Sequence, residues 1–268
     1  MRFYALVCAM AALLGLAACS SKNETISPGI PPAAKDQRIT FYEVFAGNDT
    51  IRFNHARMTY DAQGRILTLD DGYGITTYTY TNDIISSLYK IPVGDGRFYQ
   101  FATTSYINKI TGTTDSLIAT NWIGEAAPYL KTLTKHTYNS QNGLVESVTY
   151  DMLRNNLYLK TDKIIRDPLN RPITVISGNY VSHYIFEDEP YVGQAFIYFP
   201  NQGVTTANHC YLATDLTITD TLGAVWSKWK YETTRNAAGL ITEIKTHTLN
   251  ASGVVQDTTR YSYQYASN

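Results

Sequence analysis

Apolar and polar side chains alternate with a period of two over most of this chain. Thr77-Tyr78-Thr79-Tyr80-Thr81 places two tyrosines on one face and threonines on the other. Asn82-Asp83 then reads as a tight turn into Ile84-Ile85-Ser86-Ser87-Leu88. Tyr261-Ser262-Tyr263-Gln264-Tyr265 repeats the pattern with three tyrosines. Ser227, Trp229 and Tyr231 share a face opposite Trp226, Lys228 and Lys230, so that strand carries an aromatic on each side. From Arg38 to Tyr265, short runs of Tyr, Thr, Ile and Val are cut by Asn, Asp and Gly. This predicts an all-β fold, a large antiparallel meander of hairpins curled into a sheet or barrel-like layer. The one helical signal, Asn121 to Thr134, is interrupted by Gly124 and Pro128.

Four segments share a turn logic: Tyr60-Asp61 to Ile66, Tyr138-Asn139 to Val145, Arg235-Asn236 to Ile241 and Leu249-Asn250 to Val255. A strand stops at Asp or Asn, whose side chain bonds back to the backbone. Glycine then takes a positive φ, and a β-branched residue or Leu opens the next strand. Asp167 to Ile173 is a variant with Asn170 in the glycine slot. At these residues the chain resembles the YD-repeat, or RHS-type, proteins, in which such strands and turns wind long antiparallel sheets.

Ahead of this body, Arg2 is followed by the apolar run Ala5 to Leu16 and by Ala17-Ala18-Cys19. A positive n-region, a short h-region and small residues before the cut make a secretory signal, and the run is at the short edge for a transmembrane anchor. The segment resembles the lipobox of bacterial lipoproteins. The resemblance implies acylation at Cys19, which would bring membrane lipid as a partner, with residues 1–18 as signal peptide. Residues 19–37 are then a flexible tether, in keeping with Pro28, Gly29, Pro31 and Pro32, and 38–268 a single antiparallel β domain. Ser20 is not the aspartate that retains such proteins at an inner membrane, so the expected address is the outer membrane, on its periplasmic or cell-surface face. Taken together, the chain is similar to bacterial envelope lipoproteins that pair a lipobox with YD-like hairpins. Those families carry no assigned catalytic residues to transfer.

Composition narrows the chemistry. Net charge is −1 and basic residues are scattered singly, which argues against a nucleic-acid partner. With Cys8 in the signal and Cys19 acylated, Cys210 stands alone as a structural thiol, with no intrachain disulfide. His55, His136, His183, His209 and His247 have no metal-ligand spacing, and no cofactor or nucleophile motif is present. Glu187-Asp188-Glu189 and Asp70-Asp71 could supply paired carboxylates to a carbohydrate-active hydrolase, although each borders loop signals. A membrane-embedded barrel is disfavoured because the strands expose Thr, Ser, Lys and Asp and the sequence ends Ala266-Ser267-Asn268 without a terminal aromatic. The expected role is non-enzymatic, binding or structural, with a protein or glycan of the envelope as partner and Trp226, Trp229 and Trp122 as candidate ligand platforms.

Overall fold

The computed structural model describes residues 18–19, 39–46, 52–62, 65–124, 126–188, 210–211, 213–237 and 239–265. Residues 1–17 and 20–38, which hold most of the expected signal peptide and tether, lie outside them, as do Glu189 and His209. Of Cys19 and Cys210 only the backbone is described, in a two-strand ladder of β1 (Ala18–Cys19) with β14 (Cys210–Tyr211).

The other strands form one closed antiparallel barrel of 16. They are β2 (Ile39–Ala46), β3 (Arg52–Tyr60), β4 (Ile66–Asp70), β5 (Ile75–Tyr80), β6 (Ile84–Gly94), β7 (Arg97–Ile107), β8 (Thr114–Ile123) and β9 (Leu130–Tyr138), then β10 (Leu144–Asp151), β11 (Leu157–Arg166), β12 (Pro172–Ser177), β13 (Tyr180–Phe186), β15 (Ala213–Asp220), β16 (Val225–Arg235), β17 (Ile241–Leu249) and β18 (Val255–Tyr265). Each pairs with its sequence neighbour, and β18 closes on β2 through Tyr263 opposite Tyr42. Closure removes the free edges that a meander this long would otherwise expose. The Asn121–Thr134 segment is the end of β8, a turn and the start of β9; Gly124, at φ 59, suits a turn rather than a helix. Because every connection is up-and-down, turns alternate between two ends. Ile39 and Tyr265 lie at one, called proximal here; the β4–β5, β8–β9 and β15–β16 turns lie at the other, called distal.

Period-two patterning is read out directly as inside and outside. Ala56, Met58, Tyr78 and Tyr231 are buried, whereas their neighbours Arg57, Thr59, Thr77, Thr79, Lys230 and Glu232 are exposed. One side of the interior is apolar and tyrosine-rich: Ile241 and Ile244 of β17, Tyr263 of β18, Ala56 and Met58 of β3, Leu69 of β4 and Tyr78 of β5 form one cluster. A second gathers Phe186, Ala213, Leu216 and Tyr231, with Tyr184, Ile218 and Trp229 against it. The wall from β6 to β12 turns hydroxyls inward instead, with Ser87 bonded to Thr103 at 2.7 Å and Thr134 to Thr149 at 3.1 Å. Outside, ions stand in mid-strand, as where Glu243 lies 3.6 Å from Lys245 and 3.7 Å from Arg260.

The repeated turn is regular. Asp61, Asn139, Asp167, Asp220, Asn236 and Asn250 each give their backbone N–H to the carbonyl four residues on, and the side chain of each accepts the N–H of that same later residue. Asp220 belongs to a copy that the sequence pattern missed. The fourth residue is left-handed: Asn142, Asn170, Gly223, Gly239 and Gly253 have φ between 58° and 87°. In the Asn139 copy the left-handed residue is therefore Asn142 and not Gly143. Gly143 answers a different demand, because a Cβ there would run into Oδ1 of Asn170 and the side chain of Arg166 in the next hairpin.

A bulge beside the proximal turns explains why tyrosine so often precedes the aspartate. At Ile39, Ile66, Thr114, Leu144 and Ile241, each the first residue of its strand, the ladder register shifts. A bulge leaves backbone polar groups outside the ladder, and a buried carbonyl needs a partner. Tyr265, Tyr60, Tyr80 and Tyr138, ending the adjacent strands, donate their hydroxyls to Ile241, Ile39, Ile66 and Thr114 at 2.6, 2.5, 2.8 and 2.8 Å. Arg166 takes the tyrosine slot on β11, and its Nε donates to the Leu144 carbonyl at 2.8 Å. The proximal rim is thus a ring of hydroxyl and guanidinium bonds that fastens hairpin to hairpin.

Candidate functional site

Trp122, near the distal end of β8, lines an open groove of about 820 Å³ on the outer wall. The register brings it there: Ile75 of β5 is opposite Lys90 of β6, Lys90 opposite Gln100 of β7, and Gln100 opposite Trp122. Ile75, Pro92, Phe98 and Trp122 make the apolar end of the groove, and Thr77, Thr79, Ser86 and Thr104 supply hydroxyls along the rest. Lys90 and Asp70 add one charge of each sign.

Trp226 and Trp229 are not part of this groove. Trp229 points inward and packs against the Phe186–Leu216–Tyr231 cluster. Trp226 stands 65% exposed at the distal end of β16, with Tyr180 edge-on at a centroid distance of 5.1 Å. β8 and β16 are seven steps apart around the ring, nearly opposite each other. The three tryptophans therefore form no common platform: one is in a groove, one in the core and one on a rim.

The two carboxylate groups are at opposite ends of the barrel. Asp70 and Asp71 sit in the distal β4–β5 turn, accepting the N–H groups of Gly72, Tyr73 and Gly74, and Asp71 also accepts the Tyr89 hydroxyl at 2.6 Å. Glu187 follows β13 at the proximal end, where it pairs with Arg235 at 2.7 Å and accepts from Thr233. Two-carboxylate hydrolysis needs separations of about 5–10 Å, so no pair forms between one group and the other.

An interior row missed by the sequence reading deserves comparison with a nucleophile relay: His136, Ser147, Asp162 and Ser177 are successive partners across β9 to β12. His136 Nδ1 lies 2.9 Å from Ser147 Oγ, while Asp162 accepts from Ser177 at 2.5 Å and pairs with Lys160 at 2.8 Å. In a serine relay the imidazole stands between hydroxyl and carboxylate. Here the serine stands in the middle and the carboxylate is held by other groups, so the row serves as a hydrogen-bonded lining. Burial pushes the His136 pKa down, leaving its ring neutral at pH 7. The other described histidines are on separate strands, and no three metal-ligating side chains converge among the described residues.

No protein-family model matches the chain, and no curated protein matches it either. Solved structures do. A porin-like protein from Bacteroides uniformis ATCC 8492 superposes with a TM-score of 0.52 at 12% identity, covering 86% of this chain and 98% of that one. A porin-like protein from Bacteroides vulgatus ATCC 8482 gives a TM-score of 0.45 at 14% identity, covering 86% and 99%. The first likeness shows the closed all-β barrel, and at this identity it carries the fold alone.

Proposed function

We propose that the chain is a lipid-tethered barrel of the outer envelope, held at the outer membrane through acylated Cys19, with a non-enzymatic binding or structural role. The observation that carries this reading is the polarity of the wall. Arg57, Lys135, Lys163, Lys230 and Glu232 are all exposed on outward-facing strand positions. A lysine or arginine facing lipid at the bilayer midplane costs about 2–4 kcal/mol. Several of them together exceed what a marginally stable barrel can spend, so the mid-wall is built for water. A water-facing barrel needs an anchor to stay at a membrane, and the Leu16-Ala17-Ala18-Cys19 pattern provides one. The porin-like neighbour shares the barrel shape; in this chain the charged wall favours the tether over a transmembrane pore.

Labelling cells with a fatty-acid analogue tests the anchor. The parent chain is expected to incorporate the label and fractionate with outer membranes, and Cys19→Ser to lose both label and maturation. Unchanged labelling and fractionation in Cys19→Ser would overturn the reading.

A further inference from the structure

Exposed apolar side chains are unevenly divided between the two ends of the barrel. Of the 23 large hydrophobic residues that stand exposed among the described residues, seventeen lie within three residues of a distal turn. Seven distal hairpins contribute, so they ring the mouth instead of forming one patch. Leu222 is 94% exposed, Trp226 65% and Val254 58%, and Tyr73, Tyr129 and Tyr158 project from other turns of the same ring. Gathered at one end in this number, they go beyond the singly scattered apolar residues that any surface carries.

We infer that this distal crown is a bilayer-binding surface that dips into the lipid interface. Leu and Val at the tips with Trp and Tyr among them is the side-chain set that partitions to the headgroup and upper acyl region. The charged mid-wall sets the depth, admitting the crown by about 5–10 Å and no more. Three of the cations near the rim are paired, Arg97 with Asp95, Arg154 with Asp151 and Lys160 with Asp162, which leaves hydrophobic contact as the main attachment. Reach permits it as well. Nineteen residues separate Cys19 from Ile39, a span of at most about 65 Å when extended. The longest strands have 11 residues, which at a tilt of about 40° makes a barrel about 28 Å tall. The β1–β14 ladder holds Cys19 beside the proximal start of β15, so anchoring from the distal side requires that two-residue ladder to open, after which the tether can pass the full height of the barrel and leave the crown on the same bilayer.

The inference rests on the tether reading for its geometry, and one preparation separates the two. The mature chain, purified from membranes in detergent, is reconstituted into phosphatidylethanolamine and phosphatidylglycerol vesicles with brominated acyl chains. Trp226 emission is taken as the difference between the parent and Trp226→Phe. The expected result is strong quenching and a blue shift of Trp226, unchanged at high salt, with both lost in a Leu222→Asp, Val254→Asp variant whose circular dichroism matches the parent. An acylated preparation in which Trp226 emits equally in brominated and plain vesicles would overturn the crown. So would a Trp226 shielded by crosslinking to a second copy. Quenching in a preparation without acyl chains would overturn the tether and leave the crown standing.

Discussion

Gly143→Ala is expected to destabilise the barrel by about 3 kcal/mol, read as a fall in the urea midpoint at unchanged slope. The residue is not in the left-handed region, so the cost is steric. Its added methyl would collide with Asn170 and Arg166, the two side chains that lock neighbouring proximal hairpins. Asn170 is 2% exposed and accepts from Asn139 Nδ2 at 3.0 Å, while Arg166 donates to Leu144 and to the Asn170 carbonyl. Moving either strands buried polar groups, which adds to the overpacking. Gly253→Ala provides the contrast. Its Cβ meets nothing within 4 Å, but its φ is +83°, so only the left-handed backbone cost of about 1 kcal/mol applies. If Gly143→Ala cost no more than Gly253→Ala, the hairpin lock would be wrong. In an Asn170→Gly background the penalty at position 143 should shrink, because the main obstacle is gone.

Alkali should unfold the barrel cooperatively between pH 10 and 12. Burial is the first cause of the raised pKa at Tyr78 and Tyr138, both pushed up to about 12 from 10.0, and it also raises Tyr42, Tyr184, Tyr231, Tyr261 and Tyr263. In the unfolded chain these phenols ionise near 10, so above that pH the unfolded state binds fewer protons than the native state. Their contribution is complete below pH 10 and is lost as pH rises towards the folded values. For Tyr78, 6% exposed, two units correspond to roughly 3 kcal/mol. A few such groups match a typical domain stability of about 5–15 kcal/mol. Far-ultraviolet circular dichroism and tyrosinate absorbance should therefore change together in one steep transition. Gradual ionisation near pH 10 with the strands intact would mean that the tyrosines are not buried.

Strands were legible because a period of two ties burial to sequence position: Tyr78 and Tyr80, or Trp229 and Tyr231, share a face as alternation requires, and the structure turns that face inward. Closure was half legible. A meander of this length must hide its edges, but that β18 meets β2 after 16 strands depends on tilt and register summed round the ring, which no local window contains. The turn chemistry was readable in Asp61 and Asn250. It misled at Asn142-Gly143, where two residues able to adopt a left-handed backbone stand side by side, and it was missed at Asp220-Thr221-Leu222-Gly223, which makes the same turn. The role of that tyrosine, capping a carbonyl freed by a bulge, needs the neighbouring hairpin to be seen. The site was the least legible part. Parity separates Trp226 from Trp229 but does not say which side is inside, and nothing local to Trp122 reveals that it lies across the ring from both.

The water-facing wall is the claim on which the functional reading depends, and single cysteines test it directly. Lys230→Cys, Lys245→Cys and Arg57→Cys place a thiol on the mid-wall, and the parent chain supplies the background from Cys210. In membranes made permeable only enough to admit a membrane-impermeant maleimide, all three positions are predicted to react as fast as in detergent. Protection in the membrane, relieved only when the bilayer is dissolved, would show that the wall faces lipid and that the barrel spans it.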